Sequence, residues 1–238
     1  MKTITVIQHT EAEYLGLLED HLEGRNIRFT YKRPFAANGM LPEGPGKSDG
    51  LMLLGGGPYG LVSGHILPSL GPELRLTRAC LAAGLPVVGI GLGAVILAVA
   101  AGGGVSEAGL RFGVEQAVAV RPGLLGGFLP DRMPLTCYLR DAPILPPGVE
   151  VLSVCDAGQP MIFAVGKNSL GFLGHPGMKF GMAEDLIMEF DETPENTRDG
   201  LDQLAAAQGE IAEALGPLMV GLTAHTGWMN LIAPQNNI

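Results

Sequence analysis

Apolar residues recur in two rhythms along the first ninety positions. Thr3 to Gln8 alternates β-branched and polar residues and predicts a strand, and Glu11 to Leu22 puts Leu15, Leu18 and Leu22 on one helical face. Ile27 to Tyr31 predicts a second strand, and Pro34 to Ser48, rich in Pro and Gly, reads as a surface loop. Leu51 to Leu54 is an unbroken apolar run that ends in glycines. Pro72 to Ala83 predicts a helix with Glu73, Arg75 and Arg78 at polar positions between Leu74, Leu76 and Leu81, and Gly84 supplies its stop. Val87 to Ile90 reads as the central strand. Strands and helices alternate, which predicts an α/β fold with a doubly wound, mostly parallel central sheet flanked by helices.

Beyond Gly104 the rhythm changes. Val114 to Val120, Val149 to Val154 and Met161 to Val165 read as strands between Gly/Pro turns, a small antiparallel addition. Pro194 to Leu215 carries Leu201, Leu204, Ile211 and Leu215 at helical spacing. Gly216-Pro217 is expected to break that helix, and Leu218 to Ile232 to form a last one. With no internal repeat and no low-complexity linker, residues 1–238 are expected to form one domain, its C-terminal helices at about 181–232.

Composition narrows the function. The chain of 238 residues is 47% hydrophobic and 16% charged, enough to bury a sizeable core. Its formal charge of -9 gives no attraction to a phosphate backbone, so no nucleic-acid partner is expected. Cys80, Cys137 and Cys155 are odd in number and lack metal-ligand spacing, which reads as reduced thiols in a cytoplasmic protein. The N-terminus carries no signal-peptide pattern. Gly84 to Val105 is uncharged and about as long as a membrane span. Pro86 and a series of glycines interrupt it, so a buried strand, a turn and a buried helix explain it better, and no membrane partner is expected. No histidine shares metal spacing with other ligands, so no metal and no cofactor are expected.

Pro86 to Leu97 carries the most specific signal. A β-branched run ends in Gly89, Gly91 and Gly93 and opens into an Ala/Leu-rich helix. This is the pattern of a nucleophile elbow, but its central position, Gly91, has no side chain with which to attack. Glycine relaxes the strained turn that an elbow requires. Gly55-Gly56-Gly57-Pro58, at the end of another apolar strand, reads either as a flexible turn or as a backbone N–H cradle for an anionic or carbonyl oxygen. Both lie at strand ends, where ligands bind in open α/β sheets.

These segments resemble the class I glutamine amidotransferases, and the opening strand Ile4 to His9 resembles the subgroup related to the glutaminase domain of GMP synthase. The family elbow, roughly G-[IV]-C-[LF]-G-x-Q, is matched at Gly89, Ile90, Leu92 and Gly93. Gly91 stands at the position of the nucleophilic cysteine and Val95 at that of the glutamine. Leu51 to Gly60 resembles the oxyanion strand and loop, and Leu170 to Gly177 resembles the G-x-Q-F-H-P-E strand end. His175 matches the catalytic histidine, while Gly177 replaces the triad glutamate. The resemblance covers about residues 1–180. It implies a flavodoxin-like fold and a pocket formed by Gly55, Gly56, Gly57, Pro58, Leu92 and Val95 beside positions 91, 175 and 177.

Three function classes follow. The first is an amidotransferase-like protein that has lost glutaminase activity and binds a small amide or amino acid, or regulates a synthetase as its partner subunit. The second is an active amidotransferase or amide hydrolase with a relocated nucleophile, for which Cys137 and Cys155 are the candidates. The third is a purely structural interaction subunit. His175 has two readings beyond that of a base, a pocket ligand contact or a histidine left over at a strand end. His9 is expected on the same rim, lining the pocket or simply satisfied at the surface.

Overall fold

The computed structural model describes residues 1–230. Strands β1 (Thr3–Ile7), β2 (Arg28–Lys32), β3 (Gly50–Leu53) and β4 (Val87–Ile90) are joined through helices α1 (Leu18–Glu23) and α2 (Leu70–Ala82). Helix α3 (Leu92–Ala100) follows β4. Next come β5 (Gly104–Ala119), β6 (Arg132–Ile144), β7 (Glu150–Val154), β8 (Pro160–Val165) and β9 (Ser169–Phe172). Helices α4 (Phe180–Glu189) and α5 (Thr197–His225) close the described chain. One nine-stranded sheet runs β2-β1-β3-β4-β9-β8-β7-β5-β6.

The fold class is the expected one. Strands β1 to β4 and β9 pair in parallel, and β5 to β8 extend the sheet with antiparallel ladders. The unbroken apolar run in β3 follows from burial on both faces. Met52 and Leu54 join the core under α1 and α5, while Leu51 and Leu53 join the one under α2 and α3. Every residue of α3 from Leu92 to Ala98 is buried, so its charge-free sequence belongs to a core helix. Among the described residues no helix is long and apolar enough to cross a membrane.

Two expectations need correction. Glu11 to Leu22 is not one helix: residues 10–17 form turns and bends, and α1 begins only at Leu18. The leucine spacing is genuine, since Leu15, Leu18 and Leu22 are all fully buried, but tertiary contacts described below hold the first half open. Gly216-Pro217 does not break the last helix, because α5 runs through it. Pro217 faces solvent while Leu215, Leu218, Met219 and Leu222 continue the buried stripe, and that packing outweighs the roughly 3 kcal/mol a mid-helix proline costs. The final residues of the expected helix, 231 and 232, lie outside the described residues.

Strand β6 was not anticipated. Its Arg140, Asp141 and prolines look unlike a buried strand, yet its central stretch is buried. Asp141 is compensated by the backbone N–H groups of Leu61 and Val62 (2.6 and 3.0 Å) and by the Ser63 hydroxyl (2.5 Å). Arg140 Nε donates to the Pro58 carbonyl (2.9 Å). Strand β6 thus fixes the loop that follows the glycine-rich turn after β3, and that loop frames the candidate site.

Candidate functional site

Strands β3, β4 and β9 are sheet neighbours, so the turns at their C-terminal ends share one rim. Gly91 caps the N-terminus of α3 at φ 55°, ψ -118°, a strained region that favours glycine. Its N–H donates to the Phe172 carbonyl on β9 (2.8 Å). A Cβ built at position 91 would have room, lying 3.4 Å from Gly55 Cα and 3.9 Å from Glu13 Oε1. The backbone of an elbow is therefore intact, and it points at the glycine-rich turn.

That turn already holds an oxygen. The Gly57 N–H donates to Glu13 Oε2 (3.1 Å), and any Cβ at position 55 would overlap the same carboxylate. Leu92 packs over Gly56, and Val95 is buried in the helix core. The Pro58 carbonyl is taken by Arg140. The cradle reading thus has an occupant from within the chain. Glu13 is 2% exposed, and burial pushes its carboxyl up to about 7. The Gly57 hydrogen bond and the charge of His9 oppose that rise, and Glu189 adds to it.

Sequence reasoning missed Glu13, because its segment reads as helix. Its position is set by several anchors between Gln8 and Leu17. Gln8 Nε2 donates to the Thr10 and Glu11 carbonyls, and the Glu13 N–H donates to Thr10 Oγ1 (3.0 Å). The Glu189 carboxylate accepts from the N–H groups of Glu11 and Ala12 (2.8 and 3.0 Å). The Leu17 N–H donates to the Gly177 carbonyl (2.9 Å). Gly16, at φ 61°, makes the bend; a Cβ there would strike that same carbonyl. A glycine inside an apparent helix was the signal that could have exposed the bend.

His175 sits on the same rim but is fully engaged. Its Nε2–H donates to the Tyr14 carbonyl (2.8 Å), and its Nδ1 accepts from the Gly177 N–H (3.1 Å). These partners define a neutral Nε2–H tautomer. Burial holds its pKa down at about 4, only partly offset by the Tyr14 bond. A side chain at position 177 would have to displace apolar neighbours. A Cβ there would lie 2.7 Å from Leu18 Cδ1 and 3.3 Å from both Leu17 Cβ and Leu215 Cδ2.

His9 is buried rather than at the surface. Its Nδ1–H donates to the Gly55 carbonyl (2.8 Å) and its Nε2–H to Glu73 Oε2 (2.7 Å), and Ser69 Oγ–H donates to Glu73 Oε1 (2.5 Å). Burial pulls the His9 pKa down, but the Glu73 charge and hydrogen bond more than offset it, so the value is raised. Glu73, expected at a polar position of its helix, is instead fully buried as this partner. The three cysteines are free and buried. Desolvation pushes Cys137 up to about 12 and Cys80 up to about 11. Among the described residues no group of three or more His, Cys, Asp or Glu side chains is arranged to hold a metal ion.

No family model and no curated protein matches this sequence. Solved structures do. A glutamine amidotransferase from Thermotoga maritima aligns over 94% of this chain and 98% of its own, with 24% identity and a TM-score of 0.80. A glutamine amidotransferase from Methylobacillus flagellatus aligns over 93% and 96%, with 22% identity and a TM-score of 0.73. A proposed component of GMP synthase from Thermoplasma acidophilum aligns over 90% and 95%, with 19% identity and a TM-score of 0.59. The resemblance read from the elbow, the cradle and the His175 strand end is thus matched in fold over 90–94% of the chain: this protein has the glutamine amidotransferase fold.

Proposed function

We propose that the chain is an amidotransferase-like protein without glutaminase activity, acting as a non-catalytic subunit that regulates or completes a synthetase. The observation that carries this reading is the pairing of Gly91 with Glu13. The position from which attack would start has no side chain, and the cradle facing it is filled by a carboxylate on the Gly57 N–H. Amide hydrolysis by this route needs a nucleophile, a free base and vacant oxyanion donors. His175 has both ring nitrogens committed to backbone groups, which supports the same conclusion.

Of the cysteines, all of them buried, Cys137 and Cys80 are poorly suited to rescue the chemistry. The thiolate is the reactive form, and the desolvated Cys137 and Cys80 keep their protons far above neutral pH. An external amide or amino acid would have to displace Glu13, so the subunit role is favoured over ligand binding at the cradle. One of the similar folds is a proposed component of a synthase, which agrees with this role. The continuous sheet supports reading the chain as one domain, and the free cysteines fit a reducing, cytoplasmic setting.

The test is ammonia release from glutamine by the purified chain, with mass analysis after exposure to a glutamine-analogue electrophile. No turnover above background and no covalent adduct are expected. Turnover abolished by Cys137→Ala or Cys155→Ala would overturn the proposal. Melting with a panel of amino acids tests the subunit role separately: a saturable glutamine-dependent rise would favour ligand binding instead.

A further inference from the structure

The Pro/Gly-rich loop after β2 has no part in the elbow, yet it does not lie flat on the surface. It folds back over the N-terminal end of α2 and borders a half-open cavity of about 390 Å³. Its walls include Phe35, Leu41, Tyr59 and Pro68, and its floor is His9 and Ser69. The loop is held in place by Arg33, whose Nε donates to Gln8 Oε1 (2.8 Å) and whose guanidinium lies 5.3 Å from the Tyr31 ring centroid. Tyr59 is fixed edge-on against Phe190, with centroids 5.5 Å apart. The volume falls in the range of small-molecule sites, and the depth, reaching a residue only 3% exposed, suits a small molecule better than a protein surface.

The polar floor specifies the ligand further. Both N–H groups of His9 are spent, on Gly55 and on Glu73. The Ser69 hydroxyl gives its one hydrogen to Glu73. Glu73 is fully buried, and its charge is balanced by His9. What Ser69, a half-buried residue, can still offer is an acceptor lone pair on its hydroxyl oxygen. An anion would meet no free cationic side chain, since His9 is paired with Glu73 and, among the described residues, the one further side-chain donor is the Tyr59 hydroxyl on a wall. A cation would lose its hydration among largely apolar walls without a free counter-charge. Flat rings and prolines on the walls favour a flat ligand.

We infer that this cavity binds a small, neutral, planar aromatic molecule that donates one hydrogen bond to Ser69. The site lies on the His9 side of the Gly55 peptide, apart from the Glu13-filled cradle, and does not depend on the function proposed above.

Indole serves as the probe and 1-methylindole, which lacks the donor, as its control. In protein-observed NMR titrations indole should bind saturably and shift the amides of Leu41, Tyr59 and Ser69. 1-Methylindole should bind several-fold more weakly, and excess glutamine should not compete. Leu41→Trp, which fills the cavity from a partly exposed loop, should weaken indole at least about tenfold, the scale of 1.4 kcal/mol. Phe35→Ala removes a wall from an exposed position and should also weaken it, which keeps the test decisive if the tryptophan variant misfolds. Absence of saturable binding, equal binding of both probes, or undiminished binding in the filled variant would overturn the inference. So would self-association abolished by Phe35→Ala, which would assign the cavity to a second copy of the chain.

Discussion

Two ends of the same rim depart from the resembled motif in opposite ways. At Gly91 the elbow backbone persists without its side chain, in a turn with room for a Cβ. At His175 the side chain persists without its freedom, locked between the Tyr14 carbonyl and the Gly177 N–H. On the reading proposed above, restoring a side chain at position 91 would not by itself restore a site. Position 91 has room for a side chain, whereas position 175 is tied to backbone groups and position 177 is packed by leucines. The segment from Thr10 to Leu17 links the two ends, since Glu13 faces the first and Tyr14 holds the second.

The contrast is most exposed to test at its rebuilt end. Gly177→Glu would drive a carboxylate among Leu17, Leu18 and Leu215, and should destabilise the chain by about 3–5 kcal/mol in urea melts. If it is tolerated with less than about 1 kcal/mol lost, the triad-glutamate position is open after all. A Gly91→Cys, Gly177→Glu pair should accordingly be worse than Gly91→Cys alone, because the second change damages the fold rather than orienting His175.

The two buried groups on the linking segment and at its far end should pull in opposite directions with pH. Folded Glu13 keeps its proton to about pH 7, against 4.5 when unfolded, so its ionisation removes stability as pH rises through that window. Over about 2.5 units this amounts to about 3 kcal/mol. Glu13→Gln removes that term, so its stability relative to the parent should grow by about this amount between pH 4.5 and 8. His175, held near 4 from 6.5, contributes stability that is complete above pH 6.5 and lost as pH falls toward 4. His175→Gln should therefore flatten the acid limb of the profile. Urea melts at half-unit pH steps would expose either sign as wrong.

At the vacant end the expected effects are smaller. Gly91→Cys should fold, losing about 1–3 kcal/mol to the positive φ. Its thiol would meet two opposed influences, the α3 N-terminus favouring thiolate and the Glu13 carboxylate, 3.9 Å from the built Cβ, opposing it. Adding Glu13→Gln should speed alkylation of that thiol at pH 8 by roughly tenfold, about one pKa unit. Equal rates in the single and double variants would remove Glu13 from the neighbourhood of position 91.

Much of this was legible in the chain itself. Strand β1 follows from its alternation, and β3, β4 and the elbow from apolar runs ending in glycine, a local signal that burial on both faces makes strong. Glu13 was hidden because its placement depends on partners far away in sequence, Gly57, Glu189 and Gly177, while its own neighbours carry a convincing helical spacing. Strand β6 was hidden for the same kind of reason: Asp141 is acceptable in a buried strand only because residues 61–63 supply its donors. Pro217 misled in the other direction, since a local breaker lost to a buried stripe that continues past it. Local patterns placed the frame, and long-range hydrogen bonds decided what fills it.

One assay decides between a site that is merely vacant and one that has been rebuilt: ammonia release from glutamine by Gly91→Cys, measured alongside stoichiometric alkylation of its new thiol. A thiol that alkylates and no turnover above the parent chain are expected, because His175 remains tied to Tyr14 and Gly177 and the cradle remains occupied by Glu13. Turnover restored by that single substitution would contradict this, and would mean that the site had lost its nucleophile and nothing else.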